Sequence, residues 1–297
     1  MRSAARLVLF GASASACALA SCLSFDELQG GGANANDAGD ATAASDSSSD
    51  ALASDDSSSN GEAGSDGGCP LGTGPGMVQI TDVTPPFCVD RTEVTNAQYG
   101  NFLQANVPTT GQPSPVCDSN SSYTPQNKAG TTNLWPLPGS AAAYPVANVD
   151  WCDATAYCKW AGKRLCGRIG GGSNLVSDHA DANKSQWYHA CSHDGTLIYP
   201  YGSSYMPLAC NGRDFSDGGA SVPAGSLATC IGGYPGLRDM AGNVEEWTDS
   251  CDDAGCLSLG GSFVDFGPDN VEMCGDNSQD DPPMNRSGDI GFRCCGD

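Results

Sequence analysis

Positive charge and histidine are what this 297-residue chain has least of: 13 Lys and Arg stand against 35 Asp and Glu, a net charge of −22, with three His in all. Such acidity repels phosphate backbones and anionic headgroups, so nucleic acid and acidic lipid surfaces are excluded as partners and cations are favoured. No Gly-x-Ser-x-Gly elbow, phosphate-binding P-loop or His-Glu-x-x-His segment occurs. The hydrolases, nucleotide phosphatases and zinc proteases marked by those motifs are thereby set aside. No stretch repeats at a period of roughly 20 to 50 residues, which argues against a solenoid or propeller. The apolar run Leu7–Leu19 is too short to span a bilayer as a finished helix.

That run has another use. Arg2 and Arg6 give it a charged start and Leu19-Ala20-Ser21-Cys22 closes it, so residues 1–22 read as a secretory signal. The closing residues are similar to the lipobox of bacterial lipoproteins, which implies acylation of the Cys22 thiol and a membrane anchor through its acyl chains. Leu23 rather than Asp follows, the arrangement expected of a protein bound for an outer membrane. From Asp26 to Gly68 there are ten acidic residues, no Lys or Arg and nothing aromatic. This composition cannot bury enough apolar surface to offset the entropy of ordering, so residues 23–68 are expected to form a disordered acidic tether. Residues 69–297 remain, long enough for one large domain with its own core.

Fourteen of the 16 cysteines fall in that domain. An even number in an exported chain reads as a disulfide framework. Zinc would want repeated close pairs, and only Cys251 with Cys256 and the neighbours Cys294 and Cys295 approach that. Two helices are predicted. Thr95 and Gln98 have capping-box spacing ahead of Tyr99, Phe102 and Leu103. Asp150 and Asp153 open a second that runs through Trp151, Ala154, Tyr157, Cys158 and Ala161 to Gly162. Elsewhere the 39 Gly and 18 Pro of the chain leave only brief runs. The expected fold is α+β, loop-rich, low in regular structure and stapled by disulfides. His189 and His193 stand four apart, a metal-ligand spacing if both lie on one helix, but with only His179 besides, they read as polar residues beside a disulfide at Cys191.

Five blocks carry a family resemblance: FCVDRTEVTNAQY from Phe87, YPVANVDWCDATAYCKWAGKRL from Tyr144, GLRDMAGNVEEW from Gly236, GGSF from Gly260 and GFRCC from Gly291. In this order they resemble the formylglycine-generating enzymes, the sulfatase-modifying factors. The resemblance implies a C-type-lectin-like fold, and the insertion Gly167–Lys184 departs from it. Trp187, Trp247 and Phe292 are expected in the core. It further implies disulfides Cys158–Cys294 and Cys191–Cys274. Cys69, Cys88, Cys117, Cys152, Cys166, Cys210, Cys230, Cys251, Cys256 and Cys295 stay unassigned.

The same resemblance implies calcium at Asp239, the Gly242 and Val244 carbonyls and Glu246, all on one tight turn, and a weaker second site at Asn211, Gly212, Asp217 and Gly219. Hard oxygens on a Gly-containing loop are what this ion needs. Active relatives hold copper with two cysteines, and Asp265 and Asn270 fill those positions here. Carboxylate and amide do not replace soft thiolates for Cu(I), so no copper and no family oxidase activity are expected. The function read from the sequence is a calcium-steadied, lipid-anchored surface module that binds an extracytoplasmic protein, peptide or glycan. The alternative is a copper- or iron-dependent oxidoreductase, with its metal on Asp265, a histidine or an unpaired Cys.

Overall fold

The computed structural model describes residues 68–126, 139–216, 219–265 and 272–297. The signal segment, Cys22, the tether up to residue 67, Asp217 and Asn270 lie outside the described residues. In chain order the elements are β1 (Met77–Ile80), β2 (Phe87–Asp90), α1 (Asn96–Gln104), α2 (Trp151–Trp160), β3 (Arg164–Leu165), α3 (Gln186–Ser192), α4 (Arg213–Ser216), β4 (Glu245–Cys251), β5 (Cys256–Leu259), β6 (Asn277–Asp281), β7 (Ile290–Phe292) and β8 (Cys294–Gly296). Two four-stranded sheets result, ordered β1-β2-β8-β3 and β6-β5-β4-β7. The chain's last two strands are divided between them, so the GFRCC block fastens one sheet to the other.

Both predicted helices form, because their start signals are local. Thr95 Oγ1 accepts from the Gln98 amide at 3.3 Å while the Gln98 side chain accepts from the Thr95 amide at 2.9 Å, closing the capping box of α1. Asp150 and Asp153 do the same for α2, and the helix gives way to Gly162 at φ +75°. Their buried faces meet in an aromatic cluster. The Tyr99 ring stacks on Tyr157 with centroids 5.6 Å apart, and Phe102 and Phe292 pack edge-on against Tyr157. Trp247 joins this core, and Trp187 anchors a second one with Phe87, Val89, Leu237 and Met240. The glycine of the GFRCC block has a steric reason: a Cβ on Gly291 would stand 2.6 Å from the Val146 carbonyl oxygen.

All 14 domain cysteines are bonded. Cys158–Cys294 and Cys191–Cys274 are among the seven pairs, with Cys69–Cys88, Cys117–Cys152, Cys166–Cys295, Cys210–Cys230 and Cys251–Cys256 completing them. The insertion after Arg164-Leu165 begins beside Cys166–Cys295 and is pinned back by a bridge between Arg168 and Ser185. One buried charge supports the first sheet: Lys163 Nζ lies 2.5 Å from Asp90 Oδ1, and the Cys294 amide donates to the other oxygen of Asp90 at 2.9 Å.

Candidate functional site

The segment Asp239–Val244 links the Arg238 region to β4, and its geometry explains its composition. Asp239, Gly242 and Asn243 hold φ of +53°, +67° and +63°, a left-handed backbone that Gly, Asp and Asn adopt at least cost. Asn243 is the hub. Its Nδ2 donates to Glu93 Oε1 at 2.9 Å, and its Oδ1 accepts from Asn211 Nδ2 at 3.0 Å and from the Val222 amide at 2.8 Å. Backbone bonds from Asn243 to Asn211, Phe263 to Asn243 and Arg213 to Asp265 then knit three loops into one floor.

Glu246 sits in β4 rather than on the tight turn expected for it, and it is 1% exposed. The strand carries it inward, where Arg293 grips it: Nε to Oε2 and Nη2 to Oε1, both at 2.6 Å, with Trp187 Nε1 donating to Oε2 at 2.7 Å. Arg293 also donates to the carbonyls of Asp90, Arg238 and Asp239. Asp239 does come close to this cluster, its Oδ2 accepting from the Gly225 amide at 2.5 Å. Glu93 completes it. Burial and then the neighbouring Asp239 charge hold the Glu93 carboxyl well above the ordinary range, and burial raises Asp239 as well. Glu93 Oε1 is taken by Asn243, and its Oε2 is buried without a hydrogen-bond partner.

The other expected calcium residues lie one loop away. Asn211, 1% exposed, uses Nδ2 as a donor to Ala220 and Asn243, while its Oδ1 has no hydrogen-bond partner. Beside it, a Cβ on Gly212 would fall 1.7 Å from Glu272 Oε1, so only glycine lets that carboxylate rest on the backbone. Glu272 is 2% exposed, and its Oε1 too lacks a partner. Burial first, then the charges of Asp214 and Asp265, push its carboxyl up to about 7. Two unpaired hard oxygens thus adjoin the Asn211-Gly212 backbone. The sequence pointed to Asn211 and Gly212 but held no signal for Glu272; Glu93 and Arg293 were overlooked inside blocks that served as family labels.

At the first copper position, Asp265 Oδ2 accepts from both the amide and the hydroxyl of Ser262 at 2.8 Å, and burial raises its carboxyl. No thiol is at hand, since every cysteine from 69 to 295 is in a disulfide. α3 ends at Ser192, and His193 caps it at φ +50°. His189 and His193 both pack against the Tyr234 ring, with centroids 5.9 and 4.6 Å away, and His193 Nδ1 lies 2.9 Å from the Gly233 carbonyl. His189 is buried against Asp82 and Tyr234, with Nε2 2.9 Å from the Tyr234 hydroxyl. His179 is held by the carbonyls of Val176 and Gly275. Among the described residues, no group of three or more His, Cys, Asp or Glu converges as metal ligands.

The family model described as sulfatase-modifying factor enzyme 1-like domain matches residues 76–297. The chain belongs to the formylglycine-generating enzyme family. The α+β, disulfide-stapled fold is therefore the family's C-type-lectin-like one. Relatives include the inactive C-alpha-formylglycine-generating enzyme 2 of Bos taurus, 29% identical over 51% of this chain and 50% of its own length. The formylglycine-generating enzyme of Mycobacterium tuberculosis is 28% identical over 54% and 62%, and the hercynine oxygenase of Mycolicibacterium smegmatis 26% identical over 58% and 38%. The chain spans about half the length of the curated relatives it matches. Among solved structures, PvdO from Pseudomonas aeruginosa aligns with a TM-score of 0.48 at 20% identity, over 72% of this chain and 82% of that one. The relatives include both a formylglycine-generating enzyme and one named as inactive.

Proposed function

We propose that this protein is an exported, lipid-anchored member of the formylglycine-generating enzyme family, catalytically degenerate, whose calcium-stabilised domain serves as a binding or structural module. The observation that carries the reading is the donor set where copper would sit. A Ser262-bonded carboxylate, Asp265, occupies the first position, and all cysteine sulfurs of the domain are tied in pairs. A cuprous ion needs soft thiolates, and none is offered. Seven disulfides accord with an oxidising, extracytoplasmic compartment. No described helix is long and apolar enough to cross a membrane. The proposed anchor is the acylated Cys22, on the lipobox-like run Leu19-Ala20-Ser21-Cys22. The ligand class is an extracytoplasmic protein, peptide or glycan.

Calcium is supported unevenly at the two expected places. Asn211 Oδ1 and Glu272 Oε1 are buried oxygens that lack a donor, the condition a hard cation relieves. They favour the site of Asn211, Gly212, Asp217 and Gly219, with Glu272 as an added donor. At Asp239, Gly242, Val244 and Glu246 the ion would compete with Arg293, which already compensates Glu246.

Elemental analysis of natively purified protein, with a thiol count under denaturing conditions, tests the proposal. The expected result is about one calcium per chain, no copper or iron, and no reactive thiol between residues 69 and 297. Stoichiometric copper or iron would instead support an oxidoreductase, as the hercynine oxygenase relative suggests. Radiolabelled palmitate incorporation lost on Cys22→Ala tests the anchor separately.

A further inference from the structure

A cavity of about 520 Å³ opens between the outer face of α2 and the loop 107–123, walled by Val107, Pro108, Tyr123, Ala156 and Trp160. None of the residues of the carboxylate clusters or of the Ser262–Asp265 segment lines it. Its volume lies in the ~300–1,000 Å³ range of small-molecule sites, and its mostly apolar and aromatic lining is of the kind such sites have.

Thr155 and Lys159 both line this cavity from α2, four residues apart and so on one face of the helix. Thr155 Oγ1 is buried and has no hydrogen-bond partner, although a mid-helix threonine ordinarily bonds the carbonyl one turn back. Lys159, which also lines the cavity, has no ion-pair partner among the described residues, in a chain whose net charge is −22. An unpaired cation at an apolar wall, with an unpaired hydroxyl just behind the surface, is complementary to one carboxylate. Of the other polar side chains in the lining, Thr110 and Gln112, the second is already bonded to Thr109 and Asn120, so the body of a ligand meets a mainly apolar wall.

The walls are fixed in advance. Cys117–Cys152 ties the loop to α2, Asn120 donates to Asp153 at 2.8 Å and to Gln112 at 3.1 Å, and the Tyr123 hydroxyl donates to the Pro108 carbonyl at 3.2 Å. A preformed site loses little affinity to ordering.

We infer that this cavity is a binding site for a small monocarboxylic acid with an aromatic or branched apolar body, its carboxylate on Lys159 and Thr155 and its body against Trp160 and Tyr123. The inference is independent of the calcium reading.

Calorimetric titration of the full exported chain with 2-naphthoate tests it, with 2-naphthalenemethanol as the uncharged analogue. Saturable one-to-one binding is expected, weakened about ten-fold or more for the alcohol and for Lys159→Met. Ala156→Leu, which fills the cavity and leaves Lys159 in place, should abolish binding at unchanged calcium content. No saturable binding up to millimolar acid, or equal affinity for acid and alcohol, would overturn the inference. So would concentration-dependent self-association that is lost in Ala156→Leu, since the occupant would then be a second copy.

Discussion

Replacing Arg293 by Met tests the charge arrangement at the centre of the domain. The side chain is fully buried, and its removal takes both charge-assisted hydrogen bonds from Glu246 and leaves that carboxylate with Trp187 alone. Breaking one side of a buried ion pair costs about 3–5 kcal/mol, because the remaining charge keeps its desolvation penalty. For a domain of this size, ~1 kcal/mol shifts the midpoint by roughly 2–4 °C, so a fall of about 6–20 °C is expected. The double variant Arg293→Met with Glu246→Met should recover part of the loss, and the cycle should return a coupling energy of at least about 2 kcal/mol. Glu93→Gln makes the internal control. Burial and the Asp239 charge hold the Glu93 carboxyl well above its ordinary range, and a neutral glutamine can still accept from Asn243 through its amide oxygen. A change below about 1 kcal/mol is expected there. Denaturant unfolding under non-reducing conditions, with and without calcium, measures the parent, both single variants of the cycle, the double variant and Glu93→Gln. An Arg293→Met variant within 1 kcal/mol of the parent, as an order-of-magnitude threshold, would show that the Glu246 environment is not what the hydrogen bonds imply.

Stability should fall as pH rises from about 4.5 to about 7 through Glu272, whose folded carboxyl is pushed up to about 7 from its ordinary value near 4.5. A raised carboxyl keeps its full contribution below the unfolded value and loses it as pH passes the folded one. Glu272→Gln should flatten this slope, and calcium should suppress it by pairing the ionised form; a slope unchanged in the variant refutes the assignment. Gly212→Ala should cut calcium affinity at least about ten-fold, since its Cβ would displace the Glu272 carboxylate from 1.7 Å away; calcium titration by calorimetry reads this directly. Removing Cys158–Cys294 as a double alanine variant should lower stability by about 4–5 kcal/mol in the chain-entropy account, the loop being 136 residues. Thr95→Ala should cost about 1 kcal/mol through α1 alone.

What the sequence revealed and what it hid divide along contact distance. The caps of α1 and α2 span three residues each, so a reader of one segment has every atom needed. The Cys158–Cys294 and Cys191–Cys274 pairs came only through the resemblance, and the other five pairs bring together residues separated by anything from 5 to 129 positions. No local pattern fixes those partners; Cys166 meets Cys295, for one, only because β8 lies between β2 and β3. The same holds for the site. Asp239 and Glu246 are close in sequence and were legible as a carboxylate pair, but their meaning changed when Arg293 arrived from 47 residues beyond Glu246 and Glu93 came in beneath Asn243. A carboxylate answered by a guanidinium is a structural fastening; one with an unpaired oxygen is an opening for a cation. By that distinction the acidic composition of this chain is spent differently in adjoining loops. Glu246 is answered on both oxygens by Arg293 and holds the fold, whereas Glu93 and Glu272 each keep one buried oxygen without a partner.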